Sequence, residues 1–297
     1  MRHTCPVAVI GLDIGGTKLA AAHVDADGTL LRIAHRPTPT TEVWNSCITV
    51  LREVAAGVHV SAVGIACAGP IDLRAGTVSP LNIADWSRFP LLDAVSEEFP
   101  DAHVRLDGDG TCMAVAEYRF GAGRGVPNLL GVVASTGVGG GLVLDGRAVR
   151  GRSGNAGHIG HVVVEPGGAS CACGGVGCLE AVASGPSAVR WARERGWQGT
   201  DAIALAAAAR ADEPVARGAL ARAGAGLGQA FASAAALVDV DLVVLGGGFA
   251  AAGAPLWEPM QEAVARHSRL SFVRGLRVVP AALGAEAGLV GAAALVL

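Results

Sequence analysis

The 297-residue chain has no block of lysine or arginine: 23 basic and 26 acidic side chains leave a formal charge of -3. A nucleic-acid-binding surface normally leaves a basic stripe, so that function class is set aside. No apolar stretch reaches the roughly 18 residues that a membrane helix needs, and the alanine-rich segment 202–209 is followed by Arg210, Asp212 and Glu213. The apolar part of MRHTCPVAVIGL is too short for a secretory signal and runs straight into the first expected strand. A soluble, cytoplasmic protein is therefore expected. Tyrosine occurs once while glycine numbers 43, a bias that reads as a GC-rich genome more than as function. The seven cysteines are an odd number in a chain without a secretory signal, which argues against a disulfide framework. Cys5, Cys47, Cys67 and Cys112 sit in apolar contexts where reduced, buried thiols are expected. The length exceeds one ordinary core, so two domains are expected.

The remaining cysteines are the most informative feature present. His161 stands ten residues before Cys171, and Cys173 and Cys178 complete a Cys-X-Cys-X4-Cys cluster. Three thiolates and an imidazole make a closed tetrahedral Zn2+ site of the structural kind, whereas a catalytic zinc keeps a position open for water. His158 and Glu180 bracket these ligands and are polar groups that a metal does not need. His158 and His161 are three apart, the spacing of one face of a helical turn. With one ring nitrogen on zinc, His161 keeps its other N–H to donate to a ligand.

Along the chain, residues 7–12 and 19–24 read as strands around a glycine turn, and 30–35 as a third. That order is antiparallel, so a dinucleotide-binding unit, which sends its glycine loop into a helix, is rejected. A helix is expected at 43–56, a strand at 62–67, a helix at 91–98, a short strand at 104–106 and a helix at 111–120. The pattern then restarts. Residues 129–134 read as a buried strand ending in the glycine-rich turn 135–141, and 142–144 resume as a strand. Two halves that each begin with strand, glycine turn and strand imply a duplicated α/β architecture with a cleft between them. Helices are expected at 186–194, 202–209, 215–238 and 283–295, and a strand at 241–245 leads into Gly246, Gly247 and Gly248.

Backbone N–H groups of a glycine turn converge on phosphate oxygens because no Cβ obstructs them. Asp13, Gly15, Gly16, Thr17 and Lys18 meet that need, although the P-loop spacing is absent and Asp13 repels phosphate unless Mg2+ or its water shell intervenes. A hairpin turn with no ligand is the plain alternative. The second turn, with Thr136 and Gly137, lets two loops grip a polyphosphate from both sides, and Gly247 can lie against the nucleoside. Phosphoryl transfer also needs a carboxylate that accepts the proton of the acceptor hydroxyl. Asp109, between a strand and a helix, is the candidate, with a helix N-cap as the alternative role; Asp107 carries the same ambiguity.

With DIGGTK, STGVGGG, the cysteine loop ending in GCLE and the terminal AEAGLVGAA in order, the chain resembles the ROK family of sugar kinases and sugar-responsive repressors over essentially its whole length. The resemblance implies two ribonuclease H-like α/β domains of the actin and hexokinase kind around a cleft. Residues 1–118, joined by a terminal helix at about 284–297, would form one domain and 119–283 the other. It further implies ATP and Mg2+ as co-substrate and cofactor, a small sugar as the other partner, and a homo-oligomer, dimer or tetramer. It places the proton acceptor on Asp109, zinc on His161, Cys171, Cys173 and Cys178, and sugar contacts on His158, His161, Glu180 and Asn82.

Two departures bear on the substrate. Where the family usually has Asn-Asp, this chain has Gly108-Asp109 preceded by Asp107, so an amide that bonds a sugar hydroxyl is missing. The glucokinases of the family usually have Glu where this chain has His158, and residues 156–161 are instead similar to N-acetylmannosamine kinases. The extra carboxylate suits an amino group, as in kinases of 3-amino-3-deoxyglucose. The expectation is a 6-kinase of an amino or N-acyl hexose, with plain glucokinase as the alternative. A repressor is disfavoured because the first strand starts near residue 7 and leaves no room for a DNA-binding domain. A catalytically silent sugar-binding protein is the remaining rival.

Overall fold

The computed structural model describes residues 7–297; Cys5 lies outside them. The first half contains β1 (Val7–Ile14), β2 (Lys18–Val24), β3 (Leu30–Pro37), α1 (Val43–Ala55), β4 (His59–Cys67), the small hairpin β5 (Ile71–Asp72) and β6 (Thr77–Val78), α2 (Leu91–Glu98), β7 (His103–Gly108) and α3 (Asp109–Phe120). The second contains β8 (Leu129–Ala134), β9 (Val138–Leu144), β10 (Arg147–Val149), α4 (Leu179–Ala183), α5 (Gly185–Arg193), α6 (Ala202–Arg210), α7 (Pro214–Val238), β11 (Leu242–Gly246), α8 (Ala254–His267), β12 (Arg277–Pro280) and α9 (Ala287–Ala294).

The two five-stranded sheets have matching orders, β3-β2-β1-β4-β7 and β10-β9-β8-β11-β12. In each, a three-strand antiparallel meander is extended by two parallel strands. The duplication expected from the glycine turns is therefore present strand for strand. Parallel strands covered on both faces need near-continuous apolar runs, and Ile10, Leu12 and Ile14 of β1 and Val243, Val244 and Leu245 of β11 are all buried.

Helices α3 and α9 pack on each other between the sheets, α9 against β1 and β4 and α3 against β8 and β9. Glycines permit the approach: a Cβ at Gly64 would collide with the backbone oxygen of Ala292, and one at Gly291 with the backbone of Cys112. On the outer faces, α1 packs on the first sheet and the long α7 is the centre of the second core, where Phe231 and Leu227 are fully buried.

Three expectations are corrected. The strand after the second glycine turn begins at Val138, so Gly139, Gly140 and Gly141 are strand residues paired with β8, and only 135–137 form the turn. The last helix starts at Ala287 instead of 283; Gly284 has a φ of 58°, and the N–H groups of Ala282 and Leu283 bond the Glu117 carboxylate. α8, with Pro259 inside it, and the edge strand β12 were not expected. Cys47, Cys67 and Cys112 are buried free thiols, as expected.

Candidate active site

The first hairpin turn is held by short backbone bonds. Gly15 N–H donates to the Lys18 carbonyl at 3.0 Å, and the Thr38 hydroxyl donates to the Gly15 carbonyl at 2.7 Å. Gly16 carries no Cβ because the side chain of Asn82 packs against it, and this seats Asn82 beside the turn. A cleft of about 360 Å3 opens here between the two sheets. Its first-sheet wall carries Asp13, Gly15, Gly16, Thr17, Lys18 and Asn82. The opposite wall carries Thr136, Gly137, His158, His161, Glu180 and Gly247, and Asp109 reaches it from the start of α3.

The carboxylates of the cleft sit where ionisation is disfavoured. Burial, then the Asp109 charge, push Asp13 up to about 7, with Lys18 opposing. Burial also raises Asp109, against the Gly110 N–H that donates to its Oδ1 at 2.7 Å. A raised pKa is the usual property of a carboxylate that takes a proton near neutrality. Asp109 is the first residue of α3 and Gly108 holds the cap position, so the N-cap alternative for Asp109 is not what the helix shows.

Residues 159–161 form one 3-10 turn, and the rings of His158 and His161 stack with centroids 5.0 Å apart. Burial, followed by the neighbouring His161, lowers the pKa of His158, with Glu180 opposing. The ligand atoms of His161, Cys171, Cys173 and Cys178 all lie within 4.8 Å of one another. A tetrahedral ion with sulfur at about 2.3 Å and nitrogen at about 2.0 Å spaces two sulfurs by about 3.8 Å and a sulfur and nitrogen by about 3.5 Å. The Cys173 and Cys178 sulfurs are 3.7 Å apart, and Cys171 Sγ is 3.7 Å from His161 Nδ1. These residues therefore fit a four-coordinate metal, with Nδ1 as the histidine donor atom and Nε2 left over. Glu180, two residues after the last cysteine, accepts the Val138 N–H at 2.9 Å, which ties the cysteine loop to the second hairpin turn.

Asp107 does not line the cleft. Its side chain is 0% exposed, and Oδ2 accepts from Arg150 Nε at 2.7 Å, so the expectation that Asp107 reaches a sugar substituent is corrected. Gly108 borders a side cavity of only about 10 Å3, shared with Ile71, Asp109, Asn155 and His158. Sequence reasoning missed Asn155, whose carboxamide bonds both the N–H and the carbonyl of Ile71 at 3.1 and 2.8 Å and so joins the second half to the β5 hairpin. It also missed a second cavity of about 810 Å3, which shares Ser135, Thr136 and Gly248 with the cleft and is walled by Val189, Arg190, Ile203 and Phe249. Those residues stand on helices whose local spacing carries no ligand signal.

The profile of the ROK family matches residues 9–297. The glucokinase of Thermotoga maritima is 35% identical over 309 residues, covering 97% of this chain and 96% of that one. The kanosamine kinase of Amycolatopsis mediterranei is 35% identical over 292 residues, covering 96% and 95%. Among solved structures, a ROK family glucokinase from Streptomyces griseus in complex with glucose and AMPPNP superposes with a TM-score of 0.86 at 35% identity, covering 97% of this chain and 98% of that one.

Proposed function

Because this chain belongs to the ROK family, we propose that it is an ATP-dependent sugar kinase that transfers the γ-phosphoryl group to the 6-hydroxyl of a hexose. The observation that carries the reading is Asp109, standing in a cleft walled by the two hairpin turns. Asp109 accepts the proton of the sugar hydroxyl as that oxygen attacks phosphorus, and its raised pKa suits the task. Backbone N–H groups of both turns and the Lys18 ammonium hold the phosphate chain. The nucleoside occupies the adjoining larger cavity between Ile203 and Phe249. Asp13, which would repel phosphate directly, faces the position for Mg2+ or its water shell. Mg2+ bound there would supply positive charge to offset that of the phosphate chain.

His161, Cys171, Cys173 and Cys178 would hold a structural zinc, and that ion would fix the loop carrying His158 and Glu180. Were Nδ1 to bind the metal, the His161 ring would keep its proton on Nε2, a donor toward the sugar. Asn82, His158 and Glu180 complete the sugar contacts. Of the described residues, we assign 7–118 with 284–297 to one lobe and 119–283 to the other, in a cytoplasmic homo-oligomer; residues 1–6 of the expected first domain lie outside the described residues.

The side cavity at Gly108 narrows the substrate class. About 10 Å3 holds roughly one water or one heavy atom, too little for an acyl group. Asp109 and Glu180 both line the cleft, and the Glu180 charge is one of the causes that raise Asp109, a repulsion that a cationic sugar substituent between them would relieve. An amino hexose of the 3-amino-3-deoxyglucose class is the reading we favour, ahead of an N-acyl sugar. Plain glucose is the second reading, supported by the glucokinase relatives and by a cavity able to hold a water where the missing amide would stand. A coupled assay of ADP release over 3-amino-3-deoxyglucose, glucosamine, N-acetylmannosamine and glucose tests the proposal. Absence of sugar-dependent ADP formation would sink the kinase reading, and a kcat/KM highest for glucose would sink the amino-sugar reading.

A further inference from the structure

Glu117 is a buried acid with no part in the chemistry above. It sits near the end of α3 and is 0% exposed. Its Oε2 accepts the N–H of Ala122 at 2.7 Å and of Ala282 at 3.1 Å, and its Oε1 accepts the N–H of Leu283 at 2.9 Å. The surrounding chain is cut to fit. The N–H groups of Gly121 and Gly123 donate to the Glu117 carbonyl at 3.0 and 2.9 Å, and a Cβ on Gly121 would collide with the carboxylate.

The position of these donors gives the cluster its meaning. Among the described residues the chain passes between the two sheets twice, from β7 through α3 to β8 and from β12 to α9. Ala122 lies on the first passage, and Ala282 and Leu283 lie on the second. Any rotation of one sheet against the other is absorbed by these two passages, and one carboxylate holds both.

Each passage also leads to the cleft. Asp109 begins the helix that carries Glu117, about 12 Å away at 1.5 Å per residue. Gly284, Ala285 and Gly288, just beyond Leu283, line the cleft, and Gly288 has no Cβ because the Asp13 carboxylate lies against it. We propose that Glu117 is a positioning residue: it pins the two crossovers into one pivot and so fixes where Asp109 stands relative to the hairpin turns when the cleft closes on its substrates. The effect on turnover rests on the kinase reading, whereas the pivot itself does not.

Glu117→Gln keeps the side-chain size. Its oxygen can hold the Ala122 and Ala282 N–H groups, but its amide then faces the Leu283 N–H, donor against donor. A small misplacement of a reacting group costs up to about 100-fold in rate, so kcat should fall at least about tenfold while KM for sugar and nucleotide moves less than about threefold. The acid limb of the pH profile should keep its position, because Asp109 is untouched. Compaction on adding glucose or 3-amino-3-deoxyglucose with AMPPNP, read by small-angle scattering, should be altered. A variant that only melts earlier, with normal kcat and normal compaction, overturns the proposal.

If Glu117→Gln fails to fold, hydrogen exchange of the wild-type protein decides. A pivot requires the amides of Ala122, Ala282 and Leu283 to be protected together with and without ligand, while residues 284–288 change. Rapid or mutually independent exchange of those three amides refutes it, whether or not any sugar is phosphorylated.

Discussion

Gly108→Asn puts the substrate reading at risk most directly. Gly108 has φ -67° and ψ 147°, a conformation that any residue adopts, so the substitution carries no backbone strain. A Cβ there meets Ile71 Cδ1 at 3.8 Å and Thr111 Oγ1 at 3.9 Å, both ordinary contacts. The carboxamide adds three heavy atoms beyond Cβ, while the side cavity has room for roughly one water. The amide must therefore extend past the side cavity, beside Asp109 and His158, which on the proposed reading is where the sugar lies. A polar group matched or left unmatched in such a place changes binding by about 1 to 3 kcal/mol, or about 5- to 150-fold at 1.4 kcal/mol per decade. In the coupled assay the glucose kcat/KM should rise by that factor and that of 3-amino-3-deoxyglucose should fall. A ratio of the two sugars that stays within about twofold of wild type would refute the argument that Gly108 selects the substrate.

Asp109→Asn should lower kcat by about 10² to 10⁴ with sugar binding retained by calorimetry, because the amide keeps its hydrogen bonds but takes no proton. In wild type the acid limb of kcat/KM should lie above the ordinary carboxylate range, since burial raises Asp109 and the deprotonated form is the active one. Cys173→Ala should release the metal and raise sugar KM or unfold the loop; elemental analysis that finds no zinc in active wild-type protein contradicts this. Arg150→Met should cost somewhat less than the about 3 to 5 kcal/mol of a fully buried broken pair, since Arg150 is 40% exposed. Asp107 is already raised by burial despite Arg150, so ionising it costs stability as pH increases, and removing the guanidinium enlarges that cost. The drop in Tm should be larger at pH 8 than at pH 5, and an equal drop at both would count against the assignment.

What was legible in the sequence was local. The turn at 15–18 and the cysteine spacing each place their groups within a few residues, so spacing alone carries the chemistry. The restart at residue 129 is visible because each half opens on the same strand, turn and strand. The pairings that arrange the site were not legible. Asp107 finds Arg150 across 43 positions, and Glu117 finds Ala282 across 165. From the local sequence Asp107 looked free to bind substrate, and only the packing of one half on the other shows that it is taken. α8 was missed for a different reason: its interior Pro259 reads as a break, although the fold accommodates it.

The matching sheets make the cleft a pseudo-twofold axis whose symmetry is broken in its charges. The strand that closes each sheet hands over to a helix lying on the opposite sheet, α3 after β7 and α9 after β12. One of these related helices opens with Asp109 and the other with Ala287. The paired turns differ in the same way, since β2 opens with Lys18 and β9 with Val138. A scaffold of two like halves would hold a linear anion equally well in either orientation. On the kinase reading proposed above, the acid and the ammonium, both in the first half, would give that anion a head and a tail, and handedness in the charges would become direction in the transfer.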